Sequence, residues 1–204
     1  MADRAQRDPA ARGARSGRDD RAHLDDWSVS VVIATRDRPE LLRRAIDGVL
    51  AQRHDGHVEV VVVFDRSRPD HSLELERDDV RIVVIGNART PGLPGARNSG
   101  VDKASNPWIA FCDDDDEWLP GKLQAQFAAL ETMPDARAAC TGVLINYRDA
   151  DTPRMPDPER VTFDGFLRDR MTEVHPSSWL VHGRTLVERI GPVDEQIPGG
   201  YGEV

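Results

Sequence analysis

Residues 108–123 read WIAFCDDDDEWLPGKL. A short apolar run, Trp108 to Cys112, stops at four aspartates, Asp113 to Asp116, and a proline-started amphipathic helix follows over Leu119–Met133. On an extended chain Asp113 and Asp115 would share one side, with Cα atoms about 7 Å apart. Two carboxylates so spaced, at the carboxyl end of a buried strand, can reach one divalent cation and the ligand beside it. Left alone they would repel: like charges about 4 Å apart cost about 4 kcal/mol at an effective dielectric of about 20. A cation reverses that sign. The bland alternative is a solvated acidic turn, but a strand before the run and a helix after it favour a metal site.

Outward from this point the chain alternates strand and helix. Ser28–Ala34 (SVSVVIA) is a β-branched apolar run of strand length, and Pro39 opens a helix with Leu41, Leu42, Ala45, Ile46, Val49 and Leu50 along one face. Val58–Phe64 (VEVVVVF) is a second strand ending at Asp65, and Arg81–Ile85 a third. A loop punctuated by glycine and proline, Gly86–Gly95, leads to a short helix over Ala96–Ala104. Trp108–Cys112 is the fourth strand and Ala138–Tyr147 the fifth. Such alternation predicts an α/β fold, a largely parallel central sheet with helices on both faces. Ligands bind such sheets outside the carboxyl ends of the strands, so Asp37, Asp65 and Asp113–Asp116 should gather on one rim.

After Tyr147 the pattern changes. Asp149–Arg160 reads as a proline-rich polar loop, Phe163–Arg170 as a short helix, Ser177–Val181 as a strand and Arg184–Ile190 as a short helix closed by Gly191. Three regions follow: a polar tail over 1–26, a core over 27–147 and a partial lobe over 148–204. The tail is disordered on this reading, because its mixed arginines and aspartates bury too little apolar surface to offset ordering entropy.

With 204 residues and a net charge of −9, the chain is one ordinary domain with no nucleic-acid or anionic-membrane bias. No apolar run has transmembrane length, and no apolar h-region follows the early arginines. Cys112 and Cys140 sit singly in apolar runs, as buried thiols of a reducing compartment do. These features predict a cytoplasmic protein.

Four blocks in order, SVVIATRDRPELLRRAIDGVLAQ, VEVVVVFDRS, GLPGARNSGVDKA and WIAFCDDDDEWLPGKL, with the later GPVDE, resemble a family-two inverting glycosyltransferase of the GT-A, Rossmann-like fold. The resemblance runs in register from about Ser28 to Leu123 and more loosely through SSWLVHGRTLVERIGPVDE. It implies transfer of a sugar, hexosyl in type, from a nucleotide-diphosphate donor, UDP-linked by preference, to an acceptor hydroxyl with inversion. It implies Mg2+ or Mn2+ held by Asp115 and Asp113, the DxD pair, with Asp116 beside them. Nucleotide-sugar contacts would come from Ala34, Thr35, Asp65, Arg97, Asn98, Asp113 and Asp114. A carboxylate at Asp65 suits a uracil N3–H, and glycines in GLPGARNSG admit backbone near phosphate, where Arg97 can pair with it. His175 is a candidate contact to acceptor or diphosphate. The family's base belongs to a late Glu-Asp pair; Glu203 matches the glutamate, and Val204 stands where the aspartate would be. The acceptor is a glycan, a lipid-linked molecule or a small molecule, and a lipid-linked one would bring the protein to the membrane periphery. The family usually has Tyr and Asn where this chain has Arg36 and Asp37, and an acid and glycine flanking Asp65 where it has Phe64 and Arg66.

Two other classes compete. A shortened, non-catalytic donor-binding or interaction module would bind nucleotide sugar without transfer. A nucleotidyltransferase would carry a glycine cradle directly after the first strand, where this chain has ATRDRPE.

Overall fold

A computed structural model of the chain describes residues 26–148, 150–169 and 171–196. The expected tail, save Asp26, and Glu203 lie outside the described residues. In chain order the elements are β1 (Val29–Thr35), α1 (Pro39–Leu50), β2 (Val58–Phe64), β3 (Leu75–Glu76), β4 (Val80–Gly86), α2 (Leu93–Lys103), β5 (Trp108–Phe111), α3 (Lys122–Thr132), β6 (Ala138–Cys140), β7 (Val143–Tyr147), β8 (Ala150–Arg154), α4 (Phe163–Arg168) and β9 (Trp179–His182). A helical turn at Gly183–Thr185 runs on into a π-turn over Leu186–Ile190.

The fold is α/β. A seven-stranded sheet has the order β3-β4-β2-β1-β5-β9-β6, and β4, β2, β1 and β5 at its centre are mutually parallel. Every residue of β1 is buried, as is most of β2, which is why their sequences are near-continuous valine and isoleucine. Alternate side chains serve opposite layers. Val29, Val31 and Ile33 pack under α1 through Leu42, Ala45, Ile46 and Val49, and under α3 through Leu123 and Phe127. Val32 and Ala34 face the other way, with Val61, Val63 and Ile109, against Ala96 of α2. Each large aliphatic side chain so buried is worth about 1.5–3 kcal/mol. α1 starts at Pro39 because proline has no N–H to leave unpaired at a first helical position. α2 approaches the sheet more closely than a side chain permits: a Cβ on Gly100 would lie 2.2 Å from Val32 Cγ1.

Past α3 the structure corrects the sequence reading. The expected fifth strand, Ala138–Tyr147, is two strands separated at Thr141-Gly142. β6 joins the main sheet, whereas β7 pairs with β8 in a separate hairpin. The stretch read as polar loop therefore contains a strand. A Cβ on Gly142 would meet Arg154 backbone oxygen at 2.8 Å, so the chain at this break runs close against the end of β8. The expected strand from Ser177 begins at Trp179, after a 3-10 turn over Pro176–Ser178, and lies antiparallel between β5 and β6. The helices expected from Ala96 and from Leu119 start at Leu93 and Lys122.

Cys112 and Cys140 are free thiols, the first buried and the second half-buried. Among the described residues no helix is long and apolar enough to cross a membrane.

Candidate functional site

The two ends of the sheet differ in chemistry. At the amino ends, Glu59 is buried but saturated: it accepts from Ser30 Oγ at 2.6 Å, Ser105 N at 2.9 Å and Ser105 Oγ at 2.9 Å. At the carboxyl ends, several acidic groups have hydrogen-bonding capacity left. The parallel register sets Thr35 level with Phe64, and Val32 level with Phe111. Asp65 and the acid run thus emerge from β2 and β5 on either side of β1, two strand spacings or about 10 Å apart.

Asp65 is 7% exposed, and one oxygen is fully engaged: Oδ1 accepts from Asn87 Nδ2 at 2.8 Å and Gly92 N at 3.0 Å. Among the described residues nothing donates to Oδ2, which leaves an oriented acceptor for a ligand N–H. Gly92 holds φ at 130°, a conformation that side chains avoid. The turns beside β1 and β2 carry two further left-handed residues, Asp37 (φ 55°) and Arg66 (φ 52°). A cavity of about 320 Å³ opens there, with Thr35, Arg38, Arg43, Phe64 and Arg68 among its walls.

The acid run is a turn and not an extended segment. Asp116 N donates to Asp113 O at 3.1 Å, so the four carboxylates divide into two pairs. Asp114 is buried and accepts from Thr35 Oγ1 at 2.7 Å. Arg38 Nη1 bridges Asp114 Oδ1 at 3.1 Å and Asp115 Oδ2 at 2.9 Å. On the other side Asp113 Oδ1 receives Arg97 Nη2 at 2.6 Å, and Asp113 N donates to Ser177 Oγ at 2.9 Å. His175 Nδ1 lies 3.3 Å from Asp116 Oδ2, and its Nε2 lies 3.8 Å from Asp113 Oδ2. Burial pushes the Asp116 carboxyl above its ordinary range, with Asp113 and Asp115 adding repulsion against the downward pull of Ser177 and His175. A carboxylate so placed gains from a nearby positive charge.

One ligand atom each from Asp113, Asp116 and His175 lie within 4.8 Å of one another. Two hard oxygens and an imidazole suit Mn2+, and Mg2+ through the oxygens. Asp115 stands on the same turn with its side chain 52% exposed. The residues present therefore fit a divalent cation.

Of the sequence candidates, the structure brings Thr35, Asp65, Arg97, Asp113, Asp114, Asp115 and His175 to this rim, with Ala34 just behind on β1. Arg97 is 6% exposed and spends its guanidinium on Asp113. Asn98 looks elsewhere. Its Nδ2 donates to Val193 O at 2.9 Å and Glu195 Oε1 at 2.8 Å, and Val193 N donates to its Oδ1 at 2.9 Å. Glu195 also accepts from Thr90 N at 3.1 Å and Arg89 Nη1 at 3.3 Å. The Asn98 and Thr90 donors hold its carboxyl down at about 2. GPVDE is thus clasped onto α2 and onto the loop that supports Asp65. Arg38 and Glu195 are the residues that sequence reasoning missed. Arg38 was hidden in a polar turn, and Glu195 counted only within a resembling block. His182 lies in the core, edge-to-face with Trp108 at 5.3 Å.

The model of the family described as Glycosyl transferase family 2 matches residues 30–183. The UDP-Glc:alpha-D-GlcNAc-diphosphoundecaprenol beta-1,3-glucosyltransferase WfgD of Escherichia coli is 32% identical over 146 residues, covering 72% of this chain and 57% of that protein. The putative teichuronic acid biosynthesis glycosyltransferase TuaG of Bacillus subtilis is 31% identical over 156 residues, covering 72% and 60%. The chain thus spans little more than half the length of these curated relatives. Among solved structures, S. aureus TarS 1-349 in complex with UDP superposes with a TM-score of 0.61 at 18% identity, over 86% of this chain and 53% of that one. The mannosyltransferase PcManGT from Pyrobaculum calidifontis, in complex with GDP-Man and Mn2+, gives 0.55 at 19% identity, over 83% and 48%. At such identities the structural likeness speaks for the fold.

Proposed function

The chain belongs to glycosyl transferase family 2, and from that premise we propose that it carries the donor half of an inverting, metal-dependent hexosyltransferase that uses a UDP-linked sugar. The observation that carries this reading is the division of labour on one rim. Asp65 presents a single unclaimed oxygen on one side of β1, and the Asp113–Asp116 turn presents its carboxylates on the other. A nucleoside diphosphate spans about the 10 Å between two strand spacings.

Asp65 Oδ2 accepts the N3–H of uracil, with Asn87 and Gly92 fixing the carboxylate in place. Asp113 and Asp115, with Asp116 and His175 beside them, hold Mg2+ or Mn2+. That cation supplies positive charge where the departing diphosphate develops negative charge. Asp114, anchored by Thr35, fixes the turn on which those carboxylates stand. Ala34 and Thr35 form the floor under the ribose. Arg97 orients Asp113, which reaches the ribose side of the site. Glu203, outside the described residues, is the candidate base that takes the acceptor's hydroxyl proton. The clasp at Val193–Glu195 holds that segment beside the rim. The acceptor is a glycan or lipid-linked hydroxyl compound, the class named for WfgD, which would place the protein at the cytoplasmic face of a membrane.

Base discrimination tests this reading. Cytosine has an acceptor where uracil has N3–H, so CDP should bind at least tenfold more weakly than UDP, and Asp65→Asn should narrow the gap. Equal affinity for UDP and CDP in the unaltered protein would refute the role of Asp65. UDP binding without transfer of glucose from UDP-glucose to any diphosphate-linked acceptor would favour a donor-binding module.

A further inference from the structure

Arg38 stands over the acid run from the turn between β1 and α1. Both of its contacts pass through one nitrogen: Nη1 donates to Asp114 Oδ1 at 3.1 Å and to Asp115 Oδ2 at 2.9 Å. Among the described residues Nη2 and Nε donate no hydrogen bond. The side chain is half exposed and lines the 320 Å³ cavity.

Its two partners differ. The Asp114 side chain is 9% exposed and pinned by the Thr35 hydroxyl, so it is a fixed anchor. The Asp115 side chain is 52% exposed and accepts from no other group among the described residues, so it can change partners. A guanidinium on the carboxylate that a divalent cation requires is a competitor for that carboxylate. Its planar fork also matches phosphate oxygens.

We propose that Arg38 is an exchangeable counter-ion of the donor site. Without a cation it neutralises Asp115. When a divalent cation takes Asp115, the guanidinium keeps its hold on Asp114 and turns its remaining N–H groups toward the donor's diphosphate beside that cation. This inference rests on Asp115 being a metal ligand, as read above. No bond is made or broken; one cation replaces another on a carboxylate, and the displaced one moves to an anion.

The exchange predicts effects of opposite sign. Arg38→Ala removes a competitor and should tighten Mn2+ alone by about threefold, the scale of one exposed ion pair. It also removes a charged donor and should weaken UDP in saturating Mn2+ by about tenfold. Arg38→Lys keeps the charge without the fork, so Mn2+ should bind near the unaltered affinity while UDP recovers only in part. Calorimetry with Mn2+ alone, then with UDP into Mn2+-saturated protein, reads both, and far-ultraviolet circular dichroism checks that the variants are folded. A variant that weakens both ligands, or neither, overturns the inference. Mn2+ binding in the unaltered protein with no tightening in Arg38→Ala sinks this inference alone, whereas no Mn2+ binding in the unaltered protein sinks the metal reading and takes the inference with it.

Discussion

Replacing Asn98 with alanine would cut the clasp that joins the C-terminal segment to the donor side. Three hydrogen bonds disappear: two with the Val193 backbone, both at 2.9 Å, and one with the Glu195 carboxylate at 2.8 Å. Asn98 is only 3% exposed, so water does not replace them cheaply. The two neutral bonds at about 1 kcal/mol each sum to about 2 kcal/mol, and the bond to the Glu195 carboxylate adds to that. All three hold one short segment, so the loss falls on local opening of Val193–Glu195 and not on the whole domain. Amide exchange at Val193 should then accelerate by at least about thirtyfold. Thr90 N–H, which donates to Glu195 Oε2, should accelerate with it. A loss felt globally would lower the melting midpoint by at least about 4–8 °C for a chain of this size; local opening predicts a much smaller drop. Loosening the loop over 87–92 also loosens the support of Asp65, so UDP should bind several-fold more weakly while Mn2+ affinity stays constant. Native-state hydrogen exchange at Val193 and Thr90 reads the first effect. Unchanged exchange at Val193 would refute the clasp.

Gly100→Ala should destabilise by about 1–3 kcal/mol, because the new methyl would meet Val32 Cγ1 at 2.2 Å and force α2 off the sheet; urea unfolding measures it. Arg66→Gly should raise stability by up to about 1 kcal/mol, since arginine there holds φ at 52°, and a fall in the unfolding midpoint would contradict this. Glu195 has its carboxyl held at about 2 against an ordinary 4.5. Its folded value is the lower one, so its stabilisation is full above about pH 4.5 and vanishes as pH falls toward 2. Protection of Val193 N–H should follow that window, and should lose its pH dependence in Glu195→Gln. Lys122 is shifted the other way, burial lowering it from 10.5 to about 7. The unfolded chain then binds the extra proton between those values, so the lysine's cost is greatest below pH 7 and fades toward pH 10.5. A Lys122→Met variant should show its largest relative gain in stability at pH 6 and the smallest at pH 10, read by denaturant melts.

The core of the fold was legible because fully buried parallel strands leave a distinctive signal. The valine runs at Val29–Thr35 and Val58–Phe64 offer no polar face to mistake for a surface. The layers also followed from alternation, with Val31 and Ile33 facing α1 and Val32 facing α2. Past α3 the signal fails for a physical reason. β7 and β8 are largely exposed, and β8 carries Pro153, which is tolerated only because a two-stranded hairpin has open edges. Gly142 was the available mark of the break between β6 and β7. At the site, the residue types were legible and their partners were not. Alternation along an extended chain paired Asp113 with Asp115, whereas the turn closes Asp113 against Asp116. Asn98 read as a nucleotide contact within a glycine-rich loop, and the structure gives its amide to Val193 and Glu195. Arg38 could not be paired with Asp114 and Asp115 from a separation of more than seventy residues.

In the proposed donor site a divalent cation on Asp115 joins the protein to a nucleotide diphosphate. Titration of UDP by calorimetry, with and without Mn2+, on the unaltered chain and on Asp115→Ala tests it most directly. UDP binding should require Mn2+ and be lost in the variant. Binding that ignores both the metal and the substitution, or no binding of UDP, GDP or dTDP under any of these conditions, would contradict it.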